Sequence, residues 1–141
     1  MRDAFARANP PAAVRCSATG PADPFPVQAD PVLLRQVVDN LLKNALDAVA
    51  GDGEIQVAVE KTAGYAVLTV RDTGPGVPPE HRASLFEPLF STKVKGTGLG
   101  LFLSRQIVER HGGTLDLIDG AGPGAAFQVR LPRLDSPASG E

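Results

Sequence analysis

"KGTGLGLFLSRQ", residues 95–106, sets Gly96, Gly98 and Gly100 at alternate positions and runs them directly into an apolar, helix-forming stretch. A glycine lets a backbone N–H approach a ligand because no Cβ stands in the way. A helix N-terminus adds unpaired N–H groups and a partial positive charge. The combination suits an anion. No glycine is followed by Lys-Ser or Lys-Thr, so this is not a Walker loop, and the spacing is not GxGxxG, which disfavours a dinucleotide fold. Glycine loops precede many helices, and the rest of the chain has to decide what this one holds.

At 141 residues the chain fits one domain with a single buried core. A net charge of −2 gives no electrostatic footprint for nucleic acid or an anionic membrane. No apolar run approaches the roughly 20 residues of a membrane span, and the opening "MRDAFARANPP" does not have the pattern of a signal peptide. Cys16 is alone, which excludes a disulfide framework and a cysteine metal site and fits a reducing cytoplasm; it reads as a small buried hydrophobe.

Residues 1–12 read as a flexible end or a linker from an upstream element. "AVRCSA" (13–18) alternates as a short strand and "FPVQA" (25–29) offers a second. Asp30 as N-cap and Pro31 at the first helical position start a helix that runs to Ala50, with Gly51 as its stop. "EIQVAVEK" (54–61) and "YAVLTVRD" (65–72) alternate as strands joined by a turn at 62–64. Residues 73–97 are too rich in Gly and Pro for more than a helical turn or two near 79–86. An irregular stretch of that length in a small domain is usually functional, and we take it as a lid. A second long helix runs from about Leu99 to Arg110. "TLDLID" (114–119) and "AAFQVRLP" (125–132) are the closing strands, and 133–141 form a disordered tail. Residues 13–132 are therefore the domain. Its fold class is α+β, a two-layer sandwich whose mixed, mostly antiparallel sheet carries helices on one face.

On the first helix, Leu34, Val38, Leu41, Leu42, Ala45, Leu46 and Val49 share one arc and form the core side. Gln36, Asn40, Lys43, Asn44 and Asp47 gather on the other. A solvated face is the ordinary explanation, yet asparagine is a poor helix former. Asn40 and Asn44, one turn apart, make better sense facing a ligand. Their carboxamide oxygens suit Mg²⁺, and Lys43 can act as a point charge on phosphate. Spacing alone leaves both readings open.

Four segments in order resolve the ambiguity: "NLLKNALDA" (40–48), "DTGPGV" (72–77), "LFEPLFSTK" (85–93) and "KGTGLGL" (95–101). Together they resemble the N box, first glycine box, F box and second glycine box of one ATP-binding domain. That domain is shared by sensor histidine kinases, DNA gyrase, the heat-shock chaperone and mismatch-repair ATPases. The resemblance covers roughly residues 27–131, and the F box with "GTGLGL" and "IVERHGG" is similar to the histidine kinase branch, especially its nitrogen-sensor-like members. It implies the Bergerat-type ATP-binding fold, with ATP and Mg²⁺ as ligands.

Carried over by residue, the resemblance implies that Asn44 coordinates Mg²⁺, with Lys43 beside it at the catalytic centre. Asn40 and Asp47 line the same nucleotide site. Asp72 matches the aspartate that accepts from the adenine amine, although an aspartate before Thr-Gly also starts ordinary turns. Gly74 and Gly76 would let the backbone close around the base. Gly96, Thr97, Gly98, Leu99 and Gly100 would wrap the phosphates, with Lys93 and Lys95 adding charge, so that the opening stretch is a cradle of the ATP-lid kind. Phe86 and Phe90 resemble lid anchors, and core packing would serve them equally well. His81 and His111 lack the setting of an acceptor histidine.

Hydrolytic relatives carry a glutamate where this chain has Asn40, and an amide cannot act as a general base. The resemblance therefore implies a protein-histidine kinase domain that donates its γ-phosphoryl to a histidine on a separate dimerisation domain of the same kinase. The parent protein would signal to a downstream response regulator in two-component signalling. It implies neither nucleic acid nor direct membrane contact, a cytoplasmic setting and a monomeric isolated domain. Two other readings are an anti-sigma-type serine kinase and a non-catalytic nucleotide-binding or partner-docking module. The F box and "GTGLGL" weigh against the first, and the intact Asn44, Asp72 and glycine boxes against the second.

Overall fold

A computed structural model describes residues 5, 13–21, 27–88, 100–119 and 124–133. The alternating segments form strands β1 (Val14–Thr19), β2 (Gly53–Lys61), β3 (Tyr65–Asp72), β4 (Thr114–Asp119) and β5 (Ala125–Pro132). They make one sheet in the order β1-β2-β3-β5-β4. Only β1 and β2 run parallel; the other three pairings are antiparallel, so the sheet is mixed in the expected proportion. The segment 25–29 does not add a described strand. Val27 makes an isolated bridge to Arg133, and residues 22–26 lie outside the described residues.

Three helices follow the sequence signals: α1 (Pro31–Val49), the single turn α2 (Pro79–Arg82) and α3 (Gly100–Arg110). Asp30 caps α1, its Oδ1 accepting from the N–H groups of Val32 at 2.9 Å and Leu33 at 3.2 Å. The helix ends one residue sooner than expected. Ala50, not Gly51, takes the first left-handed conformation (φ 53°), and Gly51 follows at φ 91°. α3 closes with a paired cap in which Gly113 N–H donates to Val108 O and Gly112 N–H to Glu109 O.

One core lies between the helices and the sheet. Val38, Leu41, Leu42, Ala45 and Val49 of α1 and Val108 of α3 join Ile55, Val57, Leu68, Val70, Leu115, Phe127 and Val129 of the sheet. Val37, outside the apolar arc read from the sequence, is fully buried. The arc is wider than predicted because α3 lies along that flank of α1, as the contact between Asn40 and Ser104 records. Phe5 is helical and half-buried against the same core, and Arg133 N–H donates to Gly64 O beyond the end of β5.

Candidate functional site

Asp72 ends β3 and continues its inward alternation after Leu68 and Val70, so its carboxylate turns to the face that the helices cover. Its neighbours in register are Ile55 on β2 and Ala125 on β5. At 4 % exposure it is the one acidic side chain buried among the described residues. Burial pushes its carboxyl above the ordinary aspartate value, against the opposing pull of N–H donors from Gly74 and Ala125.

The segment after Asp72 is built to hold that carboxylate. Gly74 N–H donates to Asp72 Oδ1 at 2.9 Å, an aspartate turn of the ordinary kind. Thr73 is tied to the start of β2 twice: its N–H donates to Glu54 O, and its Oγ1 accepts from Glu54 N–H at 2.9 Å. Gly74 has a packing reason that the sequence did not disclose. A Cβ there would stand 2.6 Å from the Ala48 carbonyl oxygen of α1, so the close approach it permits is to the helix. Gly76 takes a left-handed φ of 83°.

Gly124 completes the clamp and went unremarked in the sequence. It is buried, its φ is +86°, and a Cβ on it would collide with the Asp72 main-chain carbonyl. The glycine run at 120–124 signals a turn, but nothing in the sequence links that turn to a residue some fifty positions earlier.

Two residues of the polar stripe of α1 lie at the edge of the core and not opposite it. Asn40 and Asn44 are half-buried, whereas Gln36, Lys43 and Asp47 are exposed. Asn40 Nδ2 donates to Ser104 Oγ of α3 at 3.1 Å. Gly100 opens α3, and among the described residues a Cβ there would meet nothing within 4 Å, so packing does not account for that glycine. Lys93, Lys95, Gly96, Thr97, Gly98 and Leu99, together with Phe90, lie outside the described residues.

The first part of the segment expected to form a lid packs on the core. Val77, Leu85 and Phe86 pack against the core, and the Phe86 ring meets Phe127 edge to face, with centroids 6.2 Å apart. The Arg105 guanidinium sits over the Phe86 ring at 4.2 Å. His111 is a clamp. Its Nδ1 donates to Ile107 O at 2.7 Å, and its Nε2 accepts from Asp30 N–H at 3.0 Å, which joins the end of α3 to the start of α1. His81 lies on α2, half-buried.

No group of three or more His, Cys, Asp or Glu side chains able to cage a metal occurs among the described residues. Asn44 offers an amide oxygen, and Asp47 follows it about one turn further along α1. Such a set fits Mg²⁺, which keeps several waters and takes one or two protein oxygens together with phosphate. It does not fit Zn²⁺.

Residues 29–135 match the family described as histidine kinase-, DNA gyrase B-, and HSP90-like ATPase. The sensor histidine kinase ZraS of Klebsiella oxytoca is 46% identical over 107 residues, which are 75% of this chain and 23% of that protein. Sporulation kinase C of Bacillus subtilis is 41% identical over 106 residues, 75% of this chain and 25% of that protein. The chain thus spans about a quarter of the length of these relatives. Among solved structures, the mycobacterial sensor histidine kinase MprB superposes with a TM-score of 0.79 at 32% identity, covering 94% of each chain. No described helix is long and apolar enough to cross a membrane. With a buried aspartate ending the third strand, an asparagine-bearing first helix, and relatives that are sensor histidine kinases, the chain belongs to the histidine kinase-, DNA gyrase B- and HSP90-like ATPase family.

Proposed function

We propose that this domain binds Mg-ATP and transfers the γ-phosphoryl group to a histidine supplied by a separate dimerisation domain of a sensor kinase. The observation that carries the reading is Asp72, a carboxylate buried at the end of β3 and held by Gly74 N–H. An isolated charge is costly to bury without a partner. The adenine amine is a donor that the remaining acceptor capacity of Asp72 would satisfy, with Gly76 in the loop around the base. Guanine carries a carbonyl at the corresponding position and would be refused.

In this reading Asn44 holds Mg²⁺, and the metal when bound offsets charge on the phosphates. Lys43 and Asp47 on the exposed edge of α1 border the same space, and Gly96 to Gly100 with Thr97, Lys93 and Lys95 carry the phosphate tail. The domain's own work is positioning and charge neutralisation, which is most of what phosphoryl transfer needs. The acceptor imidazole nitrogen forms a bond to the γ-phosphorus while the bond to the β–γ bridging oxygen breaks. ADP leaves with that electron pair, and the proton on the other ring nitrogen passes to a base on the acceptor domain. Asn40 offers no base to activate water, so transfer is favoured over hydrolysis. In this reading the domain works in the cytoplasm, where ATP is supplied, whether or not the parent protein is membrane-bound, and a response regulator receives the phosphoryl group from that protein.

The test is incubation with γ-labelled ATP, alone and with a histidine-bearing dimerisation domain. Acid-labile label is expected on the partner only. Label on serine of an added protein would assign the anti-sigma-type reading, and nucleotide binding with no transfer to any partner would assign a docking role. Label on this chain lost in His81→Ala or His111→Ala would place the acceptor within the domain.

A further inference from the structure

Among the described residues only two polar side chains are buried, Asp72 and Ser104. Asp72 belongs to the base pocket just described. Ser104 is fully buried within α3, where alanine would fill nearly the same space with a better helix propensity. Its hydroxyl therefore needs another reason, and its partner supplies one: Ser104 Oγ accepts from Asn40 Nδ2 at 3.1 Å. A serine inside a helix can give its own proton to a carbonyl one turn back, which leaves a lone pair for the amide.

An asparagine amide has two different ends. The NH₂ end donates and would serve a phosphate oxygen; the carbonyl end accepts and serves a cation or the waters around it. We propose that Ser104 is a positioning residue that fixes the Asn40 amide with its nitrogen toward α3, so that the carbonyl oxygen is the end presented to the bound metal–nucleotide complex. The inference rests on the nucleotide reading above. Its chemical content is that Asn40 acts through the hydrated magnesium ion and not as a donor to phosphate. The contact also joins the helix that carries Asn44 to the helix whose first residue, Gly100, ends the glycine run.

Calorimetric titration with ATP in the presence of Mg²⁺, and separately in chelator, tests the assignment, with thermal melting of each protein as a control for folding. Wild type should bind more tightly with the metal. Ser104→Ala should weaken Mg-ATP binding about three- to tenfold, the range expected for one hydrogen bond, and leave metal-free ATP binding unchanged. Asn40→Ala should show the same pattern, and the double variant should lose no more than Asn40→Ala alone. Equal losses with and without metal would mean that Ser104 merely joins the two helices, and no loss in either condition would mean that it positions nothing; both overturn the proposal. If Ser104→Ala does not fold, Asn40→Ala decides, because an equal loss in both conditions makes the amide a phosphate donor. A wild type that binds Mg-ATP while Ser104→Ala is indifferent removes only this inference. A wild type that binds no ATP removes the nucleotide reading, and this inference with it.

Discussion

Replacing Asp72 by asparagine sets ligand binding against stability, because the same burial that makes the carboxylate useful also makes it costly. The side chain keeps its shape, and an amide oxygen can still accept from Gly74 N–H. One of the two acceptor oxygens is lost. With nucleotide bound, an amide facing the adenine amine puts donor against donor, and rotating the amide only moves the conflict to Gly74 N–H. A buried unsatisfied pair costs about 1–3 kcal/mol, which is about a 5- to 150-fold loss of affinity. The apo protein should respond in the other direction. The folded-state carboxyl titrates above the ordinary 3.8, so between the two values the folded state binds more protons than the unfolded chain. By linkage the stability contributed by Asp72 falls as pH rises through that window, and the ionised group is a net cost above it. Asp72→Asn removes the titration. Its melting temperature without nucleotide should equal or exceed that of wild type at neutral pH, and the difference should shrink as pH is lowered toward 3.8. Calorimetry with ATP and melting curves across that range measure both. Unchanged affinity would remove Asp72 from the base pocket. A large drop in apo melting temperature would make it a loop brace, and the functional assignment would lose its main support.

Gly124→Ala should destabilise by more than about 2 kcal/mol, since a left-handed alanine alone costs about 1–2 kcal/mol and its Cβ would push on the Asp72 carbonyl; a chemical denaturation midpoint equal to wild type would show that the clamp is loose. His111→Ala removes two hydrogen bonds and should lose about 1–3 kcal/mol of stability in denaturant titration. It should leave ATP affinity unchanged, because its partner Asp30 lies about 20 Å along α1 from Asn44. In hydrogen exchange, Leu85 and Phe86 amides should be protected before nucleotide is added, and Gly74 to Val77 should gain protection with Mg-ATP. Gain confined to 85–86 would place the gate elsewhere. Phe86→Ala should cost about 1.5–3 kcal/mol in the same titration, as a half-buried ring that meets Phe127 edge to face and carries Arg105.

How much of this was legible depended on whether the cause was local. Strand alternation in 65–72 and 125–132, the Asp30–Pro31 helix start and the glycine pair after Arg110 each act over a few residues, and each was found within a residue or so. The family was legible because the order of the N box, F box and glycine boxes carries information that no single box holds. What escaped was set by distant partners. Gly74 was expected to let the backbone close around the base; its packing reason, the Ala48 carbonyl brought in by α1, has no local signature. Gly124 guards Asp72 only because β5 pairs with β3. Ala50 precedes Gly51 into the left-handed region, and an alanine carries no local signal for that.

The stripe on α1 shows why a helical wheel misjudges such a site. A wheel has two sides, core and solvent, and on it Asn40 and Asn44 fell with the exposed residues. A helix packed against both a sheet and a second helix has a third kind of position, the flank, where a side chain is covered on one side and open on the other. Val37 is fully buried there, and the two asparagines are half-buried. At the flank a polar group can be fixed by one neighbour and still reach a ligand, which neither a core position nor a solvated face permits. Ser104 supplies the fixing for Asn40. Poor helix formers at such positions mark a helix whose stability comes from its apolar arc, and whose flank is then left to chemistry.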